Sequence, residues 1–172
     1  MKKRPSEKEY AEYYAKYIDQ VIGDDIMETL AEHTTENLAF INDIAEEKWD
    51  FRYAEGKWSI KELYIHIIDT ERIMAYRALR IARNDKTPLA GYEQDDYVPY
   101  SDAEQRTKAS IIAEYEVVRQ ASIQLFKNFT PEMWERSGTA SGWPTSVLAV
   151  AYIIVGHEKH HVRVLKERYL NS

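Results

Sequence analysis

The sequence predicts an all-α protein, a bundle of four long helices with a short N-terminal lead-in helix and a long loop between the second and third of them. Its 172 residues fit one ordinary domain, which we assign to residues 1–172. Charged residues make up 30% of the chain, with only six Gly and five Pro, a composition typical of helices with charged outer faces. Four long segments carry apolar side chains at the helical period, and no strand of normal length is convincing.

The lead-in segment covers residues 1–23 and precedes the first bundle helix. Residues 6–22 form a tyrosine-rich amphipathic stretch, and Gly23 is typical of a helix end. The first bundle helix is then expected over residues 24–47, where apolar side chains recur at helical spacing. His33 is the exception within that apolar stripe.

Capping boxes mark two of the remaining helix starts. After a loop over residues 48–57, Ser59 and Glu62 predict the start of the second helix. Ser101 and Glu104 repeat the same spacing and predict the start of the third helix. The remaining elements are the end of the second helix near 84, a long loop at 85–100, the end of the third helix near 128, a turn at 130–132, a polar loop at 137–144 and a last helix over 145–170.

Charge and composition exclude several classes of protein. A formal net charge of -6 and a pI near 5.4 give a surface that repels phosphate backbones, so we expect no nucleic-acid partner. The basic stretches 72–83 and 159–168 are interpreted as the solvated sides of amphipathic helices. Without cysteine, a metal must bind nitrogen and oxygen atoms. The start of the chain lacks the apolar core of a signal peptide, and the apolar run 147–156 is about half a membrane span, so we expect a cytoplasmic protein with no membrane partner.

The last helix carries a pair of histidines suited to a metal site. His157 and His161 are four residues apart, which places both imidazoles on one helix face. His160 competes for the same role because it lies three residues from His157. At roughly 100° per residue, however, His161 lies close to the apolar direction of the helix, whereas His160 lies roughly 90° from it. The pattern therefore favours His157 and His161.

His66 on the second helix supplies a third imidazole. Three protein ligands are typical of catalytic zinc or nickel sites, which leave a position open for water or substrate. Neutral imidazoles leave the charge of the ion uncompensated, so it acidifies bound water or attracts a thiolate. His33 is left open either as a fourth ligand or as a core histidine.

Three carboxylates near these histidines are candidates for proton transfer or for accepting the second N–H of a histidine ligand. They are Glu62, Asp69 and Glu158, of which Asp69 and Glu158 are our catalytic candidates; the alternative is that each is an exposed helix carboxylate. His157, Glu158 and His161 also match the HExxH pattern of zinc peptidases. That class is disfavoured because the eleven residues after His161 contain no histidine to act as the third ligand.

Two blocks of the chain resemble the DinB-like superfamily in its YfiT-type branch, and the similarity spans most of the chain. The blocks are Lys57 to Leu63 continuing through His66, Asp69, Glu71-Arg72, Tyr76-Arg77 and Arg80 to Arg83, and Gly156 to His161 followed by Leu165 to Tyr169. The resemblance implies an up-down four-helix bundle with a long crossover loop and frequent homodimers. It also implies a metal such as nickel or zinc on a histidine triad, which carries over onto His66, His157 and His161. Relatives include transferases and isomerases that use low-molecular-weight thiols such as bacillithiol or mycothiol, and predicted metal-dependent hydrolases.

The function these observations predict is a metal-dependent enzyme acting on a small-molecule substrate. The metal activates a low-molecular-weight thiol or water, and the loops 85–100 and 137–144 are expected to line the pocket. Tyr92, Tyr97 and Tyr100 are interpreted as packing residues in preference to pocket residues. The alternative is a non-catalytic, dimeric stress-response protein whose metal stabilises the bundle, and a bundle that binds no metal is a third class.

Overall fold

The computed structural model describes residues 4–23 and 25–170 and confirms an all-α four-helix bundle. None of the helices in these described ranges is both long and apolar enough to cross a membrane. The helices are α1 (Ala15–Ile18), α2 (Ile26–Asp43), α3 (Ile60–Ala82), α4 (Gln94–Tyr97), α5 (Lys108–Lys127), α6 (Pro131–Glu135) and α7 (Val147–Val164), the last prolonged by a π-helical segment (Leu165–Leu170). Single 3-10 turns lie at Glu7–Glu9, Glu12–Tyr14, Glu46–Lys48, Val98–Tyr100 and Ala103–Gln105, and two strands, β1 (Ser137–Ala140) and β2 (Trp143–Ser146), pair antiparallel.

Side-chain caps start the long helices. The predicted capping box at α3 is confirmed, since Glu62 N–H donates to Ser59 Oγ at 3.2 Å and Ser59 N–H donates to Glu62 Oε2 at 2.6 Å. The Asp25 carboxylate caps α2, and residue 24, where we expected this helix to begin, lies outside the described residues. The Ser146 side chain caps α7.

The predicted capping box at Ser101 is wrong. Helix α5 begins at Lys108, where the Thr107 side chain accepts from the Ser110 N–H. The Ser101 hydroxyl instead donates to the Val98 carbonyl at 2.8 Å, and Asp102 has a left-handed φ of 51° that interrupts a helix at this point. The lead-in segment also differs from prediction, since only α1 and the two turns before it are helical.

The segment predicted as a polar loop at 137–144 forms most of a β-hairpin. Ser141 and Gly142 connect its strands with φ values of 52° and 80°, the positive pair that a two-residue type I′ turn requires. The Leu89 N–H donates to the Thr139 carbonyl, and the Ser141 N–H donates to the Leu89 carbonyl, both at 2.9 Å. The hairpin therefore fastens the long crossover loop to the bundle.

The first and second long helices, α2 and α3, do not pack side by side, and neither do the last two, α5 and α7. Helices α2 and α3 each pack mainly against α5 and α7 and lie diagonally opposite one another. Lys108 at the start of α5 donates to the carbonyl of Ile44 just beyond the end of α2, while Phe126 near the end of α5 packs in one cluster with Leu30 near the start of α2. Thus α2 is antiparallel to α5, and the crossover joins two parallel helices, α3 and α5.

A buried polar layer crosses the middle of the bundle between two apolar clusters. Its centre is Arg119, which is fully buried and donates to Glu71 at 2.9 Å and to Glu158 at 2.5 Å. Asn37 also donates to Glu158, so the layer joins all four long helices. A buried charge without a partner is costly, which explains the proximity of these groups. The flanking clusters are represented by Leu30, Ala78, Phe126 and Val150 on one side and by Ile41, Tyr64, Tyr115 and Leu165 on the other.

Candidate metal centre

The structure brings the three predicted histidines together between α3 and α7. His66 Nε2 and His161 Nε2 each lie 3.0 Å from His157 Nε2. If an ion lay about 2.1 Å from each nitrogen, this spacing would give an N–metal–N angle of about 90° between His157 and each of the other two histidines. Divalent metals accept such angles. In the part of the chain that the structure describes, this triad is the one His, Asp or Glu group gathered closely enough to hold an ion.

Helix geometry explains why these rings meet. His157 and His161 are one turn apart on α7, and His66 lies in the first third of the antiparallel helix α3. Aromatic rings hold the imidazoles, since the Tyr17 ring contacts His157 edge-on at 5.2 Å and the Trp58 ring lies 4.9 Å from His66. Neither aromatic residue was singled out from the sequence, although Trp58 directly precedes the Ser59 cap.

The protein favours the neutral form of all three imidazoles. Burial lowers the pKa of His66 to about 4. Burial also lowers the pKa of His157 and of His161 well below the ordinary range, and the neighbouring imidazoles lower both further. Neutral imidazole is the form that binds a metal, so the site presents its ligands ready for an ion at neutral pH.

The two remaining histidines are not part of the cluster of ring nitrogens, although the His160 ring lies 5.1 Å from the His161 ring. His160 is partly exposed, packs against Tyr17 and lies 3.4 Å from an Arg163 nitrogen, as its direction on the helix predicted. His33 is buried in the polar layer, where its Nε2 lies 3.5 Å from a Glu158 oxygen. Of the two roles left open for His33, its position favours that of a core histidine.

The three candidate carboxylates have different surroundings. Glu158 is fully buried and accepts from Arg119 and Asn37, and Glu62 is engaged by its cap and by Arg52. Asp69 lies one turn after His66 with about a third of its side chain exposed. Burial raises the pKa of Asp69, while Arg72 at 3.7 Å opposes that effect. The catalytic roles of Asp69 and Glu158 stay predictions.

Two clefts reach the triad at different histidines. The wide cleft, of about 560 Å³, reaches His161 and is lined by Tyr53, Lys57, Trp58, Asp95 and His160. The tyrosine cleft, of about 230 Å³, reaches His157 and is lined by Tyr13, Tyr14, Tyr17 and Tyr92. The triad is therefore buried within the bundle but accessible at two of its three rings.

The pocket-lining prediction is confirmed for one loop and wrong for the other. The loop 85–100 contributes Tyr92 and Asp95, but the hairpin segment 137–144 lines neither cleft among the described residues. The hairpin precedes α7, and the ten residues from Val147 to His157 separate the two by about 15 Å of helix. Tyr92 and Tyr97 line clefts, contrary to our packing interpretation, and Tyr100 is exposed.

The fold and site together define a class of protein, a four-helix bundle with an inward-facing histidine triad compatible with a divalent metal. The family model of the DinB superfamily matches residues 29–165. The chain belongs to that superfamily.

Known relatives extend this result. A candidate metal-dependent hydrolase of Oceanobacillus iheyensis is 26% identical over 134 residues, covering 77% of this chain and 76% of the relative. YfiT from Bacillus subtilis, described as a probable metal-dependent hydrolase with an unusual four-helix bundle topology, has a TM-score of 0.71 at 15% identity and covers 99% of this chain and 93% of its own. The mycothiol-dependent maleylpyruvate isomerase has a TM-score of 0.67 at 11% identity, covering 84% of this chain and 61% of the isomerase. At these identities the two structures show a shared fold.

Proposed function

We propose that this protein is a metal-dependent enzyme that attacks a small electrophilic substrate with a low-molecular-weight thiol or with water. Nickel or zinc on His66, His157 and His161 would supply the Lewis acidity that lowers the pKa of the thiol or water. The observation that carries the proposal is the spacing of 3.0 Å from His157 Nε2 to both other Nε2 atoms. Burial lowers the pKa of all three imidazoles, which favours the neutral form that binds a metal. We further propose a cytoplasmic homodimer, in line with the family resemblance.

The two clefts suit a reaction of two substrates. One reactant can approach His161 through the wide cleft while the other reaches His157 from among the tyrosines. Tyrosine faces favour a flat substrate, and Lys57 in the wide cleft favours an anionic group on the other reactant. We therefore favour thiol transfer over hydrolysis, and the thiol dependence of the isomerase that shares this fold supports the choice.

Within the site, Asp69 is the better candidate for moving a proton. Part of its carboxylate stays accessible, whereas Glu158 accepts from Arg119 and Asn37 inside the bundle. The same contacts argue against a zinc peptidase, because the general base of the HExxH pattern would be Glu158. In the transfer step the thiol sulfur bonds to the electrophilic carbon, the leaving group departs with its electron pair, and the thiol proton passes to a base.

The first experiment measures metal content in protein purified without a histidine tag. His66→Ala should lose the ion. His160→Ala should keep it, because His160 directly precedes His161 on α7 but is not one of the three proposed ligands. Equal metal content in both variants would refute the assignment of His66. The metal-replete protein is then assayed with 1-chloro-2,4-dinitrobenzene with and without bacillithiol. Turnover that needs the thiol and is lost in His66→Ala supports thiol transfer, and thiol-independent turnover of an ester supports hydrolysis.

A non-catalytic metal-binding protein is the second candidate. It is favoured by the burial of His66 and His157, which would let an ion cross-link α3 and α7. It predicts a large loss of melting temperature on chelation and an ion that takes up no thiol. If the protein is the proposed enzyme, we expect the absorption spectrum of the cobalt-substituted protein to change when bacillithiol is added, because a thiolate would join the ligands of the metal.

A further inference from the structure

Arg77 is a buried cation with an unusual set of partners. Its side chain is on α3, eleven residues after His66, and the residue is only 3% exposed. Nη2 donates to the Ala90 carbonyl at 2.9 Å and to the Ser141 hydroxyl at 3.0 Å, and Nη1 lies 3.8 Å from the Met74 sulfur. All of these partners are neutral. The guanidinium charge is therefore buried without a counter-charge from these groups, which is costly.

Arg119, the other well-buried arginine of the described chain, has carboxylate partners. It contacts two carboxylates, and several half-exposed arginines, such as Arg4 and Arg72, are also paired. Within the described residues no Asp or Glu oxygen lies within 4.0 Å of Arg77. The paired arginines are Arg4, Arg52, Arg72, Arg80, Arg106, Arg119 and Arg136. Arg83, Arg163 and Arg168 also lack a carboxylate partner among the described residues, but all three are exposed to solvent. Arg77 is therefore the buried arginine of the described chain that has no counter-charge.

Arg77 lies at the wall of a cleft that is large enough for a small molecule. The arginine cleft, of about 480 Å³, lies between α3 and the loop after it and is also lined by Arg72, Arg80, Leu89, Tyr92 and Tyr97. Its arginines make it positive, since Glu114 and Asp85 offset only Arg72 and Arg80. Aromatic and aliphatic side chains supply flat apolar walls.

We propose that the arginine cleft binds a small organic anion, in which a carboxylate or phosphate contacts Arg77 and a flat apolar body lies between Leu89 and Tyr97. Arginine presents a planar fork of donors that matches both kinds of oxyanion. The arginine cleft is distinct from the metal centre, because none of the three histidines lines it. It shares Tyr92 with the tyrosine cleft, and the Tyr92 hydroxyl lies 3.0 Å from Thr70 Oγ1. The Arg77 guanidinium carbon lies 5.9 Å from the centre of the Tyr92 ring.

The competing explanation is that Arg77 only ties the crossover loop to the hairpin through its two oxygen acceptors. That role requires donors but no free charge and predicts no preference for anions. The two explanations therefore differ in the affinity of the cleft for charged and neutral ligands of the same shape.

Three probes of one shape test the proposal by calorimetric titration in phosphate- and sulfate-free buffer. They are 1-naphthoate, 1-naphthyl phosphate and the neutral 1-naphthalenemethanol. The protein is the His66→Ala variant, so that an oxyanion bound to the metal does not contribute, and the wild type is titrated in parallel. We expect at least one anion to bind about tenfold or more tightly than the neutral probe, as a charge-assisted hydrogen bond provides. The anion that binds more tightly shows whether the cleft prefers a carboxylate or a phosphate. Equal binding of all three probes, or no binding, would overturn the proposal.

Variants then place the ligand. Arg77→Gln should abolish the preference for the anion, and Tyr97→Ala should weaken binding of all three probes. Tyr100→Ala is the matched control, because Tyr100 is in the same loop but 87% exposed and outside the lining of the arginine cleft. Equal effects of Tyr97→Ala and Tyr100→Ala would contradict the site. If Arg77→Gln does not fold, the amide signals of Leu89, Ala90 and Gly91 decide, since they must shift on addition of the anion and not on addition of the neutral probe.

Discussion

We predict that the buried polar layer depends on Arg119 and that replacing this residue strongly lowers the free energy of unfolding. The substitution Arg119→Met removes the cation but keeps the approximate length of the side chain. Glu71 and Glu158 then lie in the bundle without a positive partner, and both are almost completely buried. Removing one member of a buried, hydrogen-bonded ion pair costs about 3–5 kcal/mol. Arg119 contacts two carboxylates at 2.9 Å and 2.5 Å, so we expect the upper part of that range.

The assay is urea unfolding of the metal-free protein followed by circular dichroism. For a chain of this length, a loss of about 4–5 kcal/mol corresponds to a melting temperature lowered by roughly 8–20 °C. Asp50→Ala is the control, because it removes an exposed ion pair with Lys61 that should be worth about 1 kcal/mol or less. Adding Glu71→Gln and Glu158→Gln to Arg119→Met should recover much of the loss. An Arg119→Met variant within about 1 kcal/mol of the wild type would refute our description of the layer.

Three further predictions concern the metal centre. Gly156→Ala should push the lead-in segment away from His157, because a Cβ at position 156 would lie 2.1 Å from the Tyr17 carbonyl oxygen. We expect the tyrosine fluorescence and the KM for the substrate to change, while the metal content of the protein stays the same. Acid should destabilise the metal-free protein, because the pKa of His66 is about 4 in the folded state and about 6.5 in the unfolded state. Between about pH 6.5 and about pH 4 only the unfolded state takes up the proton. His66 alone therefore lowers the free energy of unfolding by about 1.4 kcal/mol for each pH unit by which the pH falls. Adding zinc at about a thousand times its dissociation constant should stabilise the protein by about 4 kcal/mol, and chelation should reverse this.

Each of these three has a clear contrary result. A Gly156→Ala variant with unchanged KM would show that Tyr17 does not shape the tyrosine cleft. For the acid effect, His66→Ala should have a shallower pH dependence than the wild type, and identical slopes would contradict the burial argument. For zinc, stabilisation of His66→Ala equal to that of the wild type would assign the ion to another place.

Periodicity and local caps predicted the bundle helices but not their arrangement. The Ser59 capping box and the apolar stripe of α3 are local signals, and the structure confirms both. A stripe shows that a face is buried without showing which helix covers it, so the diagonal placement of α2 and α3 was not predictable. The Ser101 box failed because its spacing is also compatible with a loop. The Ser141-Gly142 pair is a turn signal that could have indicated the hairpin.

The sequence predicted the clustering of the three histidines but not their surroundings. The spacing of His157 and His161 and their direction on the helix favoured the pair that the structure places beside His66, and His66 was supported by the family resemblance. Charged residues are expected at the surface, which hid the burial of Arg77 and Arg119. Arg119 does lie on the apolar stripe of α5, four residues after Tyr115, so the pattern held a signal for it.

The central claim is that one ion binds all three imidazoles, and anomalous diffraction from crystals of the tag-free protein, grown with nickel or zinc, tests it directly. The account predicts one strong anomalous peak above the metal absorption edge, about 2.1 Å from the Nε2 atoms of His66, His157 and His161. An empty triad in metal-replete crystals, or a peak that contacts His160 and leaves His66 unbound, would contradict it.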